Sequence, residues 1–333
     1  MNKFSDIINK TFPTKNIVII GDLVADQFLC GTINRVSREA PVFILRHDET
    51  ETLAGGAANA AANIASLKGN ATLVGIIGND PNGEKLLKTL ENSSVNCDFV
   101  ITSEKFSTTT KVRVLAGQHY APRQQVIRID YENNQPIDAE TVKKLKVNLI
   151  AAGKDADAII ISDYNYGVAD REIGELARKI ADEKQIPLLV DSRFRLLEFP
   201  NATTATPNQE EVEQILGENF TEENCSELCQ ELGYEALLIT RGNQGMMLIE
   251  NGEKPLQIEA VGAKQPIDVT GAGDTVIAVF ALGLACGLSF TESSYLANHA
   301  GGIVVMKRGT ACVESEELLN SIGTSQENSA VGN

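Results

Sequence analysis

The sequence predicts an α/β protein: a doubly wound, mostly parallel sheet with helices on both faces, plus a small β-sheet lid. Three observations predict it. Short β-branched runs alternate with helical segments, several of those runs stop at polar loops, and two stretches break the rhythm with period-2 alternation.

Residues 16–20 form a buried first strand that stops at Gly21-Asp22. Residues 55–67 are Ala-rich with one apolar face, a helix opened by the pair Gly55-Gly56, and a strand at 71–77 with the turn Gly78-Asn79-Asp80 follows. Later strands at 158–161, 187–190 and 236–239 end at Ser162-Asp163, Asp191 and Thr240-Arg241-Gly242, with helices at 171–184 and 209–216 between them. Such alternation implies a parallel sheet covered on both faces, in which ligands gather at the carboxyl ends of the strands. Asp22, Asp163, Asp191 and Arg241 then share one rim. The nearly apolar stretch 276–290, with Gly283 and Gly287, reads as one buried helix too short for a membrane span.

Residues from about 27 to 51 and from about 107 to 130 are expected to form a small antiparallel sheet, a lid over that rim. Its Arg35, Lys111, Arg113 and Arg128 make a positive group. Each cation alone is equally well explained as a solvated charge, but Lys111 and Arg113, two apart on a strand, point to one face and are placed to grip a phosphate. Residues 1–325 read as one domain. The tail 326–333 is expected to be disordered.

Against 29 basic residues stand 45 acidic ones, a formal net charge of −16, which opposes nonspecific attraction to nucleic acid or anionic membranes. An anionic ligand must therefore be held locally, by metal ions, amides or a small basic cluster. The opening segment has no apolar run of the kind a signal peptide needs, and a cytoplasmic protein is expected. Cys30, Cys97, Cys225, Cys229, Cys286 and Cys312 include no CxxC pair and read as structural thiols. His47, His119 and His299 form no ligand set or triad pattern.

The chemistry concentrates in Asp268-Val269-Thr270-Gly271-Ala272-Gly273-Asp274-Thr275. Without Cβ atoms at Gly271 and Gly273 the backbone can approach a phosphate, and the first N–H groups of the following helix point at it. A carboxylate there is repelled by phosphate unless a hydroxyl or a metal lies between, so Asp274 reads as a general base, with a helix cap as the alternative. Gly55-Gly56-Ala57-Ala58-Asn59 offers a tight turn and an amide suited to sugar hydroxyls. Thr206-Pro207-Asn208-Gln209-Glu210-Glu211 places Asn208 and Glu211 three apart at a helix start, suited either to metal-bound water or to an acidic, Pro-led first turn. Arg241-Gly242-Asn243-Gln244-Gly245 follows a strand as a nucleotide-contacting loop would.

In this order the set resembles the ribokinase-like, or PfkB, family of sugar kinases over residues 15–320. Further matching pieces are Gly21-Asp22, Arg35-Val36-Ser37-Arg38-Glu39-Ala40-Pro41-Val42, Thr110-Lys111-Val112-Arg113-Val114, Ile127-Arg128-Ile129-Asp130 and Ser162-Asp163-Tyr164. The Arg35 string is the most discriminating, and it is similar to that of kinases acting on the anomeric hydroxyl of D-glycero-β-D-manno-heptose 7-phosphate. The resemblance implies ATP-dependent phosphoryl transfer to a sugar hydroxyl, with Asp274 as base and Gly271, Ala272 and Gly273 as anion hole. It implies Mg²⁺ organised through water by Asn208 and Glu211, and ATP near Thr240, Arg241, Gly242, Gly245, Asp268 and Asn298. Asp22, Arg35, Gly55, Gly56, Asn59, Lys111, Arg128 and Asp163 are expected to face the sugar phosphate. A monovalent cation is left open, and the lid is expected to join a homodimer.

Two positions depart from the heptose-kinase pattern. Asp163-Tyr164-Asn165-Tyr166-Gly167 stands for Asp-Tyr-Ala-Lys-Gly, and Asp191-Ser192-Arg193 for Asp-Pro-Lys, so one cation is lost and another changes shape. No nucleotidyltransferase domain of the kind fused to many such kinases is read in the chain, so a second enzyme is expected to activate the product. The alternatives are a fructokinase, ribokinase or nucleoside kinase of the same family, and a silent sugar-sensing homologue. An intact base, amide turn and metal-organising pair disfavour the last.

Overall fold

The protein is described from a computed structural model covering residues 3–118, 123–133, 136–262 and 265–331. His119 lies outside these residues. The strands, in chain order, are β1 (Asn16–Gly21), β2 (Leu23–Val36), β3 (Phe43–Gly56), β4 (Asn70–Gly78), β5 (Asn96–Ser103), β6 (Thr109–Gly117) and β7 (Gln124–Tyr131). They continue with β8 (Ala158–Asp163), β9 (Leu188–Ser192), β10 (Thr204–Ala205), β11 (Ala236–Thr240), β12 (Met246–Glu250) and β13 (Leu256–Ile258).

The large sheet has the order β13-β12-β11-β10-β9-β8-β1-β4-β5. From β11 to β5 every neighbouring pair is parallel, and β12 and β13 close one edge antiparallel. β1 is paired on both sides, so its continuous apolar run has two cores to fill. Side chains alternate between faces along a strand. Accordingly Ile17 and Ile19 enter one core with the helices Ala57–Ser66 and Ala272–Ala285, while Val18 and Ile20 enter the other beside the helices Ala139–Ala152 and Arg171–Lys184. In the first core Ala57, Ala58, Ala60 and Ala61 are fully buried, and their small side chains let the helix Ala57–Ser66 lie close against Ala272–Ala285.

The buried helix expected over 276–290 starts earlier and stops short of that range's end. The helix Ala272–Ala285 ends at Gly287, whose φ of +77° is left-handed, and a second helix, Phe290–Val304, starts with Ser289 as its cap. Ser289 Oγ accepts from the Glu292 N–H at 3.1 Å and Glu292 reaches back to the Ser289 N–H, a capping box visible in the sequence as Ser-x-x-Glu. Among the described residues no helix is long and apolar enough to cross a membrane.

The lid has the order β3-β2-β6-β7 and is mixed, not antiparallel: β2 and β6 run parallel. Both leave the same carboxyl rim of the large sheet, β2 directly after β1 and β6 after β5, so both run outward in one direction. Period-2 sorting gives the lid two unlike faces. The register pairs Asp26 with Lys111 and Lys111 with Asp130, and beside that row Phe28 with Arg113 and Arg113 with Arg128. Val112 opposite Ile129 and Val114 opposite Ile127 occupy the other face. The tail expected to be disordered from residue 326 continues as backbone helix within Ser315–Val331, whose first turn carries Glu316 and Glu317 where a helix start favours acids; residues 332–333 lie outside the described residues.

Phe280 is fully buried and its ring lies 6.4 Å from that of Phe290, so it locks the two helices together. Phe280→Ala is expected to lower unfolding free energy by about 3–5 kcal/mol. Denaturant titration measures this, and a loss near zero would mean that this junction is not part of the core.

Candidate active site

Gly271 caps the helix Ala272–Ala285 with a φ of +78°, and an added Cβ would meet Asn59 Nδ2 at 2.4 Å, so only glycine fits on both counts. An added Cβ at Gly273 would meet nothing within 4 Å, because that side is open. The Ala272 N–H, expected to be part of the anion hole, is engaged with Val269 O at 3.3 Å. Among the described residues the N–H groups of Gly273 and Asp274 have no acceptor, which leaves two bare donors at the helix start.

Asp274 lies inside the helix and caps nothing. It is only 2% exposed. Its Oδ2 accepts from Asn59 Nδ2 at 2.8 Å and its Oδ1 from the Tyr164 hydroxyl at 2.7 Å. Burial pushes the carboxyl up to about 6, with the bonds from Asn59 and Tyr164 and the charge of Lys111 opposing the rise. A carboxylate held by two neutral donors keeps its basicity, as an ion-paired one would not.

Three cavities meet at this helix start. One of about 210 Å³ is mostly apolar, lined by Thr240, Gly242, Gly245, Ala260, Val261 and Asn298 among others. The second, about 340 Å³, is lined by Asp191, Arg193, Asn208, Glu211, Gly271 and Gly273 among others. The third, about 230 Å³, holds Asp26, Lys111, Arg113, Arg128, Arg193 and Asp274. The first two share Thr240, Val269, Ala272 and Gly273, and the last two share Tyr164, Arg193 and Gly271. They form one track with Asp274 at its far end.

Lys111 and Arg128, expected to face the sugar phosphate, line the third cavity. Lys111 is 6% exposed, its ammonium lies 5.4 Å from the Tyr164 ring centroid and 5.7 Å from that of Tyr166, and burial pulls its pKa below the usual lysine range. Arg128 Nε donates to Asp130 at 2.8 Å, and Arg113 Nε to Asp26 Oδ1 at 3.1 Å. Among the described residues Lys111 and Arg193 have no carboxylate partner.

Several expected ligands are spent elsewhere. Asp22 is buried and accepts the N–H groups of Tyr164, Tyr166 and Val168 at 2.8, 3.0 and 3.0 Å, and burial pushes it up to about 6 despite them. Asp163 accepts from the Ser192 hydroxyl and is ion-paired with Arg195. Asp268 holds the N–H groups of Thr270 and Gly309, tying down the loop that leads into the helix. Asn59 gives its amide to Asp274 and to Gly271 O, and its Oδ1 accepts from Asn63. Gly55 leaves room for the Asp26 carboxylate, an added Cβ falling 2.3 Å from Oδ2, and Gly56 has a φ of +59° and would set a Cβ 2.7 Å from the Asp22 carbonyl oxygen. Arg241 turns its guanidinium to Gln257 and Gln244 at 3.0 and 2.8 Å, away from the apolar cavity. Arg35 is exposed and lines none of the three cavities, because nine residues of extended strand carry it roughly 30 Å past Asp26.

Asp26, Tyr164 and Arg193 were not picked out as site residues from the sequence. The available signal for Asp26 was an acid in the otherwise apolar start of β2, Leu23-Val24-Ala25-Asp26. Its burial pushes its pKa up, while Arg113 and Lys111 pull it down.

Asn208 and Glu211 form a reciprocal capping box at 2.8 and 2.9 Å, so the structural alternative for that motif holds in the geometry. Glu211 nevertheless faces the second cavity with Asp191. Burial pushes Glu211 up to about 7, and burial together with the charges of Glu211, Asp274 and Asp163 holds Asp191 well above the usual carboxylate range. Two oxygen donors of surplus negative charge suit a hard divalent ion completed by phosphate and water. Among the described residues no group of three or more His, Cys, Asp or Glu side chains could hold a metal alone.

The model of the pfkB family carbohydrate kinases matches residues 14–316. The bifunctional protein HldE of Haemophilus influenzae is 40% identical over 316 residues, covering 93% of this chain and 64% of that protein. HldE of Vibrio parahaemolyticus is 38% identical over 322 residues, covering 95% and 65%. The chain thus spans about two thirds of the length of these relatives. Among solved structures, phosphofructokinase-2 from Escherichia coli in complex with substrates and products superposes with a TM-score of 0.75 at 18% identity, covering 93% and 99% of the two chains. Arabidopsis thaliana ribokinase complexed with ribose and ATP gives 0.69 at 22%, covering 92% and 98%. With the family's domain spanning nearly all of its length and the parallel sheet and lid in place, the chain belongs to the pfkB family of carbohydrate kinases.

Proposed function

We propose that this phosphotransferase moves the γ-phosphoryl group of ATP to the anomeric hydroxyl of D-glycero-β-D-manno-heptose 7-phosphate. The observation that carries the phosphorylated acceptor is Lys111, a nearly buried ammonium with no carboxylate bonded to it among the described residues, facing the cavity that contains Asp274. A buried cation is costly without an anion, and a phosphate on the acceptor would supply one. The string from Arg35 to Val42 favours the heptose over other sugar phosphates. Acceptors without phosphate, as in a fructokinase, ribokinase or nucleoside kinase, leave Lys111 and Arg193 unmatched.

In this reading the apolar cavity takes the base of ATP, and the bare N–H groups of Gly273 and Asp274 meet the phosphate on which negative charge develops. Asp274 removes the proton from the acceptor hydroxyl, while Lys111 and Arg128 hold the far phosphate and so aim that hydroxyl. Asp191 and Glu211 would hold magnesium, which supplies charge neutralisation to the phosphates when bound. Arg193, shared by the second and third cavities, lies where it can follow the transferred group.

Asp274→Asn is expected to fold and to bind ATP but to turn over at least about 100-fold slower, read in a coupled kinase assay. Full activity in that variant would remove Asp274 from the chemistry. Lys111→Ala is expected to raise KM for heptose 7-phosphate about tenfold or more, with a much smaller effect on any unphosphorylated sugar turned over. Equal effects on both, in a panel with fructose, ribose and adenosine, would argue against a phosphate clamp.

A homodimer through the lid completes the proposal. The face opposite Lys111 and Arg128 leaves Phe43, Ile127, Ile129 and Tyr131 exposed, Phe43 by 58%, a run of apolar surface that a second copy would cover. Sedimentation is expected to show two chains per particle, and Phe43→Asp is expected to give one. A wild-type protein that sediments as a single chain at micromolar concentration sinks this assembly.

A further inference from the structure

The loop after β8 presents one side chain for which the mechanism above has no role. We propose that Tyr164 is a positioning residue for phosphoryl transfer: its hydroxyl donates to Asp274 Oδ1 and fixes that carboxylate beside the acceptor cavity. The inference rests on the reading of Asp274 as the base.

Two features that seemed from the sequence to be sugar ligands converge on Tyr164 instead. The Asp22 carboxylate holds the loop by the N–H groups of Tyr164, Tyr166 and Val168, so the backbone behind the ring is tied at three points. Asn59 takes Asp274 Oδ2 and leaves Oδ1 to the phenol. The ring itself lines both the phosphate cavity and the acceptor cavity, with the Lys111 ammonium 5.4 Å from its centroid. Packing explains the ring but not the oxygen, since a phenylalanine would fill the same space. The hydroxyl has one partner among the described residues, and that partner is Asp274.

Burial and the nearby Asp274 charge hold the phenol well above its ordinary pKa, so it stays protonated and donates. A bond donated to the charged carboxylate favours that form and opposes the rise that burial imposes on Asp274. Each carboxylate oxygen has a further lone pair, so the acceptor hydroxyl can still approach. The other charged groups near Asp274 are Asp26 from β2, which raises its pKa, Lys111 from β6, which lowers it, Asp191 from β9, whose own pKa Asp274 raises, and Arg113, Arg128 and Arg193, which line the same cavity. None of them changes when the phenol oxygen is removed. Removal therefore raises the Asp274 pKa, and because the ionised form is the base, activity is lost first on the acid side.

The test uses full-length wild type, Tyr164→Phe and Asp274→Asn with ¹³C-labelled aspartate carboxyls, followed by NMR through pH 4–9. The resonance missing from Asp274→Asn identifies the base. Its midpoint, about 6 in the wild type, is expected to rise by roughly one pH unit in Tyr164→Phe. The acid limb of kcat with heptose 7-phosphate should move the same way, kcat well below pH 6 should fall about tenfold, and KM for ATP should stay unchanged. An unmoved midpoint and limb in a folded Tyr164→Phe, with Asp274→Asn inactive, overturns this inference and leaves the base intact. Wild-type turnover in Asp274→Asn brings down the base and this inference with it. Should Tyr164→Phe not fold, the wild-type chain grown with 3-fluorotyrosine at all six tyrosines supplies the second measurement. The more acidic phenol donates more strongly and is expected to lower the Asp274 midpoint, and an unchanged or raised midpoint overturns the proposal.

Discussion

An acid that is to take a proton must be kept dry, charged and unpaired, and the structure around Asp274 is arranged to meet that constraint. A lysine or arginine bonded to it would satisfy the carboxylate but depress its basicity. Two neutral donors, Asn59 and Tyr164, satisfy it and offset only part of the rise that burial imposes, leaving the carboxyl at about 6. Much of the surrounding architecture follows. Asn59 reaches Asp274 only because the helix carrying it is built from alanines that allow close packing, and only because Gly271 has no side chain in its path. Tyr164 reaches it only because its loop is tied down by Asp22.

The rim carries more carboxylates than the chemistry uses, and their partners tell them apart. Asp22 and Asp268 hold backbone amides, and Asp163 holds Arg195. Charges whose hydrogen-bonding capacity is already filled become part of the scaffold. Asp191, Glu211 and Asp274 stand apart because they line the cavities and, among the described residues, have no ion pair, while burial raises the pKa of each. This sorting was not legible in the sequence, where Asp22, Asp163 and Asp274 all look like acids at the end of a strand or the start of a helix. The bond from Asn59 to Asp274 joins residues 215 positions apart, and no local pattern announces it.

What was legible had a local cause. The parallel sheet followed from apolar runs ending in polar loops, and the helix start at Gly271 from two glycines before a long apolar stretch. The break between the helices Ala272–Ala285 and Phe290–Val304 was also written locally, as Gly287 and the Ser289-x-x-Glu292 box, but the nearly apolar run 276–290 extends across it and masked it. The parallel pairing of β2 with β6 was beyond local reading. It depends on two strands 73 or more residues apart leaving the same rim, which is a property of the whole sheet.

That parallel pair also decides where anions can go. A chain of net charge −16 repels phosphates over most of its surface, so attraction has to be concentrated at one place. The register does this by setting Lys111 between Asp26 and Asp130 in one row and Arg113 beside Arg128 in the next. Asp26 and Asp130 hold the arginines, which leaves the lysine ammonium, aimed by two tyrosine rings, as the cation least matched by the protein. A one-residue slip of β6 against β2 would turn Lys111 to the apolar face and take its charge out of the cavity that holds Asp26 and Asp274. The strand register that gives the lid its exposed apolar side is thus the same register that makes the acceptor cavity fit for an anion, and neither face can be altered without the other.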